Sequence, residues 1–437
     1  MKHNKKGRKS KVFKQGSAHI AFTGKSVTAN AGMAIISRAF EKFHIPQLLE
    51  AVTADLDQDK RYLTHQLLQQ LIALRIIGGE AVNDIKLLHD PALKSMFQWD
   101  HIVHPTTCIR RLKTMTWRHN LNLEKINTEL SHLAARPGKL LITIDSSVCT
   151  VHGQKVEGAD IGYNPHKPGR NSYHPLMAVD IDARSIIDGY LRPGSCASSH
   201  GLDGFVRKIV SEANRPAEDI IFRLDKGLTS GAILDTIEEL GSGYLAKVKL
   251  SSTIMGEISQ IKQWRSIGNG HFTASFHRKL SGWKCSRKFA VIERHMPTAK
   301  PSEQMLLFDM REGRYEVIVT NLRLKSDHIW RKYNKGAIVE QLINEIKNDF
   351  AATCIRTNNF WANETLFQTG LIAYNLFNCI RHTAFPKWLR TSRIKRIGLL
   401  LLHLPANVVV RGRRFWIKIK RNHPMRLIFY RAMKALG

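Results

Sequence analysis

The chain has 437 residues, 67 Lys and Arg against 36 Asp and Glu, and a formal net charge of +31. That excess exceeds what solubility needs and points to a polyanion, since each cation seated on a phosphate releases counterions. No run reaches the ~18 apolar residues that span a bilayer, no apolar core follows the basic start, and six cysteines without a CxxC pair suit reduced thiols. The expectation is a cytoplasmic protein associated with DNA, with no membrane partner.

Residues 1–30 read as a basic arm and a first strand. MKHNKKGRKSKVFK (1–14) holds seven cations, and no acidic residue precedes Glu41. Such a run either orders on DNA or merely solubilises the chain. Residues 31–136 read as a helical DNA-binding region, with apolar spacing at 28–43, 63–78, 90–98, 106–117 and 121–134. Thr106 is positioned to cap a recognition-type helix presenting Arg110, Arg111 and Lys113 to DNA, although basic residues on an amphipathic helix commonly face water.

Residues 137–250 alternate between strand and helix patterns. Strand-like runs occupy 139–150, 175–182 and 185–194, the last two joined by a turn at Ala183 and Arg184. A helix at 201–214, a strand at 218–225, a helix at 230–241 and a strand at 243–250 follow. Ser230 caps the second helix and Gly241 closes it. This β-β-β-α-β order is that of an RNase H-like domain. The loop GYNPHKPGRNSYHP (162–175) sets His166, Lys167, Arg170 and Asn171 after the first strand. It reads either as a phosphate clamp or as a rigid structural loop.

Residues 251–325 read as a β insertion, with alternation at 271–280, 284–295 and 313–321. Residues 326–380 form the second part of the core, including a helix at 333–350. Residues 381–437 carry no acidic residue. They read as a hairpin, made of RTSRIKRIGLLLLHL and RRFWIKIK, followed by a short helix suited to DNA or a second protomer. The fold class is α/β: an RNase H-like mixed-sheet catalytic core interrupted by a β-strand insertion, with a helical N-terminal region and a basic C-terminal hairpin and helix.

Three acidic residues carry the chemistry. Asp145 ends the run KLLITIDSSV, Asp225 ends EDIIFRLDKG, and Glu340 lies in YNKGAIVEQLINEIKNDF. Clustered carboxylates repel one another unless cations neutralise them. Hard oxygen ligands suit magnesium, and two such ions can activate an attacking oxygen and stabilise a leaving one. Each Asp taken alone is equally a turn residue leaving a strand. On a regular helix Tyr333, Glu340 and Lys347 share one face, which serves a metal and a phosphate or is simply a solvated Glu/Lys face.

With these residues in view, the chain resembles bacterial insertion-sequence transposases of the DDE superfamily, in the branch whose last motif reads Tyr-x2-Arg-x3-Glu-x6-Lys. Within that branch it is most like the insertion-sequence family numbered thirteen-eighty. The likeness is carried by EGADIGYNPHKPGRNSYHPL (157–176), YLRPGSCASSHG (190–201) and the stretch from Tyr333 to Lys347. It implies a cut-and-paste enzyme that uses Mg2+, with Mn2+ able to substitute, on the terminal inverted repeats of its own element and on target DNA. It also implies a homodimer in a paired-end complex.

The resemblance assigns Asp145, Asp225 and Glu340 as catalytic metal ligands, with Tyr333 and Lys347 as accessory residues. In hairpin-forming relatives the insertion holds a Trp that stacks on a flipped base. Trp264 and Trp283 are the candidates here, packing in the core being the other use of each. Gly336 stands where the motif has Arg, with Lys335 or Arg331 able to supply the charge, and Lys226 and Leu228 also depart from the pattern. An endonuclease without joining activity and a non-catalytic, transposase-derived DNA-binding protein are the alternative functions.

Overall fold

The computed structural model describes residues 12–15, 17–21, 26–57, 61–153, 155–165, 167–294, 314–354, 357–412 and 414–437. β1 (Val12–Gln15) pairs antiparallel with β2 (Ala18–Ala21). The last residues of the basic arm therefore belong to a strand, while residues 1–11 lie outside the described residues. After β3 (Val27–Thr28) come α1 (Met33–Lys42), α2 (Ile45–Thr53), α3 (Thr64–Ile76), α4 (Leu93–Met96), α5 (Pro105–Leu112) and α6 (Trp117–Ala134). α3 is buried on all sides from Leu67 to Ile76. Its polar members find partners: Gln69 accepts from the Trp99 indole at 3.1 Å and Gln70 from the Val103 amide at 3.0 Å. Unpartnered, either amide would cost more than its burial returns.

β4 (Leu140–Ser146) begins a nine-stranded mixed sheet. β5 (Cys149–Thr150), β6 (Asp160–Ile161) and β7 (Asn171–Tyr173) then form a separate three-stranded sheet beside its carboxyl end. β8 (Leu176–Asp180) pairs antiparallel with β4, and β9 (Ser185–Tyr190) pairs antiparallel with β8 at the sheet edge. α7 (Leu202–Glu212) leads to β10 (Ile220–Leu224), and α8 (Gly231–Glu239) to β11 (Gly243–Lys247). β4, β10 and β11 run parallel.

The 251–325 segment contributes α9 (Ser252–Ser259), β12 (Arg265–Gly268), β13 (His271–Arg278), β14 (Arg287–Arg294) and β15 (Tyr315–Thr320). These strands extend the central sheet and do not form a sheet of their own. β15 pairs with β11, and the sheet order is β12-β13-β14-β15-β11-β10-β4-β8-β9. The alternation that marks them as strands says nothing of the strand they join.

α10 (Ser326–Asn334), α11 (Ile338–Asn344) and α12 (Phe360–Ala384) follow. α12 is the longest helix among the described residues and is nearly all buried. Its polar residues cover the edge strand β9. The Asn375 carbonyl accepts from the Ile186 amide at 2.9 Å, Gln368 donates to the Gly189 carbonyl at 2.7 Å, and Glu364 accepts from the Leu191 amide at 2.8 Å. An edge strand left bare would expose these groups to pairing with another chain.

The chain ends with α13 (Lys387–Arg390), α14 (Ile394–Ile397), β16 (Ala406–Arg411), β17 (Arg414–Ile419) and α15 (Arg426–Ala435). RTSRIKRIGLLLLHL is helical, with a π turn at Gly398–Leu402, and so is not a strand of the hairpin. Its apolar run buries Ile394, Ile397 and Leu401, a spacing of three and four, and Leu402 beside them. The hairpin instead joins β16 to β17, and β3 pairs on β16.

Two cores flank the sheet. One face, with Ile142, Ile144, Phe222 and Leu224, packs on α7 and α8. The other, with Leu141, Met177, Ile221 and Leu245, packs on α6, α10 and α12. No helix of the described residues is long and apolar enough to cross a membrane, and all six cysteines are free thiols.

Candidate active site

The parallel pairing of β4 and β10 places two of the acidic residues side by side. Arg223 pairs with Thr143, so continuing the register by two residues sets Asp225 beside Asp145 at the carboxyl ends of adjacent strands. Side chains alternate along a strand. With Ile144 and Leu224 in the core on the α7–α8 face, Asp145 takes the other face.

Asp145 is half-buried, whereas Asp225 and Glu340 are exposed. Burial pushes the Asp145 carboxyl up to about 6, and the negative charges of Asp225 and Glu340 push the same way. The Ser146 amide, donating to Oδ1 at 2.8 Å, and the Arg223 charge oppose them. The three acidic groups therefore act on one another. Among the described residues no three His, Cys, Asp or Glu side chains form a ready-made metal site. The donor chemistry, all carboxylate oxygen, fits a hard divalent cation; the spacing is open rather than closed on one point.

The segment carrying Glu340 is not one regular helix. A 3-10 turn (Lys335–Ala337) separates α10 from α11, and a π turn (Glu345–Asp349) follows α11. The segment is therefore not the single regular helix on which a common face is expected, yet Tyr333, Glu340 and Lys347 each remain near the β4 and β10 strand ends. Tyr333 is only 1% exposed. Its hydroxyl donates to the Leu224 carbonyl at 3.4 Å, and burial raises its pKa. It is an anchor between helix and sheet. Lys347 donates to Ser147 Oγ at 2.9 Å and to the Val148 carbonyl at 3.2 Å, tying the π turn to the loop just after Asp145.

The remaining sequence candidates separate in the same way. Arg110 on α5 and Lys113 just past its end are exposed. Arg111 turns inward, donating to the Tyr62 carbonyl at 2.8 Å and lying 3.6 Å from Asp57, so it braces the helical region rather than facing DNA. His104, not Thr106, caps α5: its ring accepts from the Thr106 amide, and Pro105 takes the first helical position. In the 162–175 loop, Lys167 and Arg170 are exposed, Asn171 sits in β7, and His166 lies outside the described residues. That loop is built against the next one: a Cβ on Gly162 would fall 1.8 Å from the Gly194 carbonyl oxygen.

Trp264 packs near Tyr315 with ring centres 6.2 Å apart, and Trp283 stacks on Phe289 at 5.7 Å. Both belong to the margin of the α7–α8 core. Both pack against neighbouring rings while remaining half-exposed.

Two arginines near the site are not among the residues the sequence singles out, although Arg192 lies in the string YLRPGSCASSHG. Arg192, 3% exposed, donates to the carbonyls of His174, Ser198 and His200 at 2.9, 3.1 and 2.6 Å. It thereby shapes the loop whose Ser198 hydroxyl meets Ser146, next to Asp145, at 3.2 Å. Arg223 lies two residues before Asp225, and its Nε donates to the Tyr333 carbonyl at 3.0 Å. An arginine inside an apolar strand run is the only signal the sequence offers for it.

Residues 10–437 match the family model described as Transposase DDE domain group 1. The match spans nearly the whole chain, and the chain belongs to that family of DDE transposases. Divalent metals are in general use among such enzymes. A cryo-electron microscopy structure of a piggyBac transposase synaptic complex with hairpin DNA is similar at a TM-score of 0.46 and 15% identity, covering 86% of this chain and 82% of that one. No curated protein matches.

Proposed function

We propose that this member of the DDE transposase family binds the terminal inverted repeats of an insertion sequence and performs strand cleavage and strand transfer at one site. In this reading the mixed sheet is an RNase H-like core, and Asp145, Asp225 and Glu340 are its catalytic carboxylates. The observation that carries it is the side-by-side register of Asp145 and Asp225, with Glu340 close enough to help hold the Asp145 carboxyl up.

Magnesium, or manganese in its place, bound by these three side chains would supply activation of the attacking oxygen and stabilisation of the leaving one. Asp145, whose carboxyl is held up by burial and by the neighbouring carboxylates, would have to be deprotonated to serve as a ligand. In hydrolysis, the water oxygen bonds to phosphorus, the bond to the 3′ oxygen breaks, and a 3′ hydroxyl and a 5′ phosphate remain. In transfer, that hydroxyl takes the place of water on a target phosphodiester. Lys347 holds the strand-end loop against the Glu340 segment and keeps a further N–H for a phosphate oxygen. The cation excess supplies affinity for both DNA partners, and pairing of two ends calls for two copies of the chain.

The test uses a linear duplex comprising the DNA on both sides of the coding sequence. Asp145→Asn, Asp225→Asn and Glu340→Gln should each abolish cleavage and joining with binding retained. Cleavage that persists in one variant removes that residue from the set. Cutting without joining by the native chain would assign the endonuclease reading, and binding without cutting the non-catalytic one.

A further inference from the structure

We propose that Arg223 is a phosphate-binding residue of this site, admitted to it by the missing side chain of Gly336. The proposal rests on the carboxylate site above and names a cation for it. Phe222 and Leu224 point into the α7–α8 core. Arg223, between them, therefore faces the side shared by Asp145 and Asp225, beneath the segment that carries Glu340.

The side chain is held at its inner end and open at its outer end. Its Nε donates to the Tyr333 carbonyl at 3.0 Å, and its guanidinium carbon lies 4.2 Å from the Tyr333 ring centre. Its two terminal nitrogens make no hydrogen bond, and it forms no ion pair, among the described residues. Beside three carboxylates it does not bridge, it keeps the paired donors that match a phosphate's oxygens.

Gly336 explains how it fits. A Cβ there would fall 2.2 Å from the Arg223 Nε, 2.4 Å from Cδ and 2.6 Å from Cζ. Gly336 has no left-handed backbone angle that would require glycine; its missing side chain leaves room for the Arg223 side chain as it lies. Position 336 and Arg223 compete for one volume next to Glu340: a long side chain reaches it from the helix or from the strand, not from both. Neither Lys335 nor Arg331 holds this place. Arg223 does.

The experiment compares Arg223→Ala, Gly336→Arg and the exchanged pair Arg223→Ala with Gly336→Arg, on the DNA flanking the gene. Thermal unfolding and binding in EDTA are recorded for each. Without the paired donors on one phosphate, Arg223→Ala should have a kcat lower by roughly 10- to 100-fold, with binding in EDTA changed by less than about threefold because many cations share it. Gly336→Arg alone should push the Arg223 side chain off the Tyr333 carbonyl, with the unfolding midpoint little changed. The exchanged pair, which returns a guanidinium to the same volume from the helix, should regain at least about tenfold in kcat.

A purely structural brace would predict otherwise, since a cation at 336 cannot donate to the Tyr333 carbonyl from the strand. Wild-type kcat in Arg223→Ala overturns the proposal, as does an exchanged pair that folds normally yet recovers nothing. Should Arg223→Ala fail to fold, Arg223→Lys decides: a kcat loss at an intact midpoint supports fork-shaped recognition of the phosphate, and wild-type kcat overturns it. Asp145→Asn run in parallel separates the two levels. If that variant cuts, the carboxylate reading fails; if it does not and Arg223→Ala cuts normally, only the arginine assignment fails.

Discussion

Replacing Asp145 by Asn should stabilise the protein without metal and destabilise it, relative to the native chain, with metal. The carboxyl is held at about 6 against its ordinary 3.8. Two pKa units at 1.36 kcal/mol each set an upper bound of about 3 kcal/mol. Because the folded pKa is raised, the folded chain keeps a proton that the unfolded chain has released. That contribution is complete below pH 3.8 and is lost as pH rises through about 6. Above pH 6 the native chain bears the full cost of a half-buried, repelled carboxylate.

Asn has no such cost, and its carbonyl oxygen can still accept from the Ser146 amide. In EDTA at pH 8 the variant should therefore be more stable by about 1–3 kcal/mol, and its advantage should widen by about 1.4 kcal/mol between pH 5 and pH 8. Magnesium reverses the order, because a cation at a hundred times its dissociation constant adds about 2.7 kcal/mol to a chain that binds it. Urea unfolding at pH 5, 6.5 and 8, with EDTA or magnesium, measures all of this. An Asn variant that is less stable than the native chain in EDTA at pH 8 refutes the electrostatic argument. Equal stabilisation of both chains by magnesium refutes Asp145 as a ligand.

Lys347→Ala should reduce cleavage and joining with bulk DNA affinity little changed, because it frees the loop after Asp145 and removes one phosphate donor; an unchanged cleavage rate would return Lys347 to a surface role. Removing residues 1–11, which hold six cations, should shrink the slope of log affinity against log salt by about 0.9 for each phosphate the arm no longer neutralises, and filter binding across a salt series would expose an arm that does not touch DNA by an unchanged slope. Arg381→Ala should cost about 3–5 kcal/mol in urea unfolding, since it strands the buried Glu345 carboxylate with which Arg381 pairs. Gly370→Val should also destabilise, its Cβ falling 2.6 Å from the Ala352 Cα and Cβ atoms between α12 and the turn after Asp349; a wild-type unfolding midpoint would mean the two segments part easily.

Local pattern carried a good deal. The apolar runs within 139–150 and 218–225 contain β4 and β10, with Asp145 and Asp225 at their ends, because a strand buried on both faces reads as a short apolar run. Ser230 caps α8 by accepting from the Ile233 amide, as its position before an apolar run implies. α12 is illegible in the sequence for the converse reason. Glu364, Gln368, Asn375 and Asn378 interrupt its apolar spacing, and their role, satisfying the backbone of an edge strand, exists only once that strand is beside them.

The sequence by itself determined which runs become strands, the clustering of cations at both ends, and a family likeness that the match over residues 10–437 upholds at the level of DDE transposases. Tertiary structure alone decided the rest. It joined β12 to β15 onto the central sheet, turned Arg111 and Tyr333 inward, and interrupted the helix that carries Glu340 with a 3-10 and a π turn. It also put Arg223 into the volume that Gly336 leaves open. Periodicity reports that a side chain is buried, because burial depends on the element's own geometry. Which atoms it meets there depends on the register between strands far apart in the chain, and no local window contains that register.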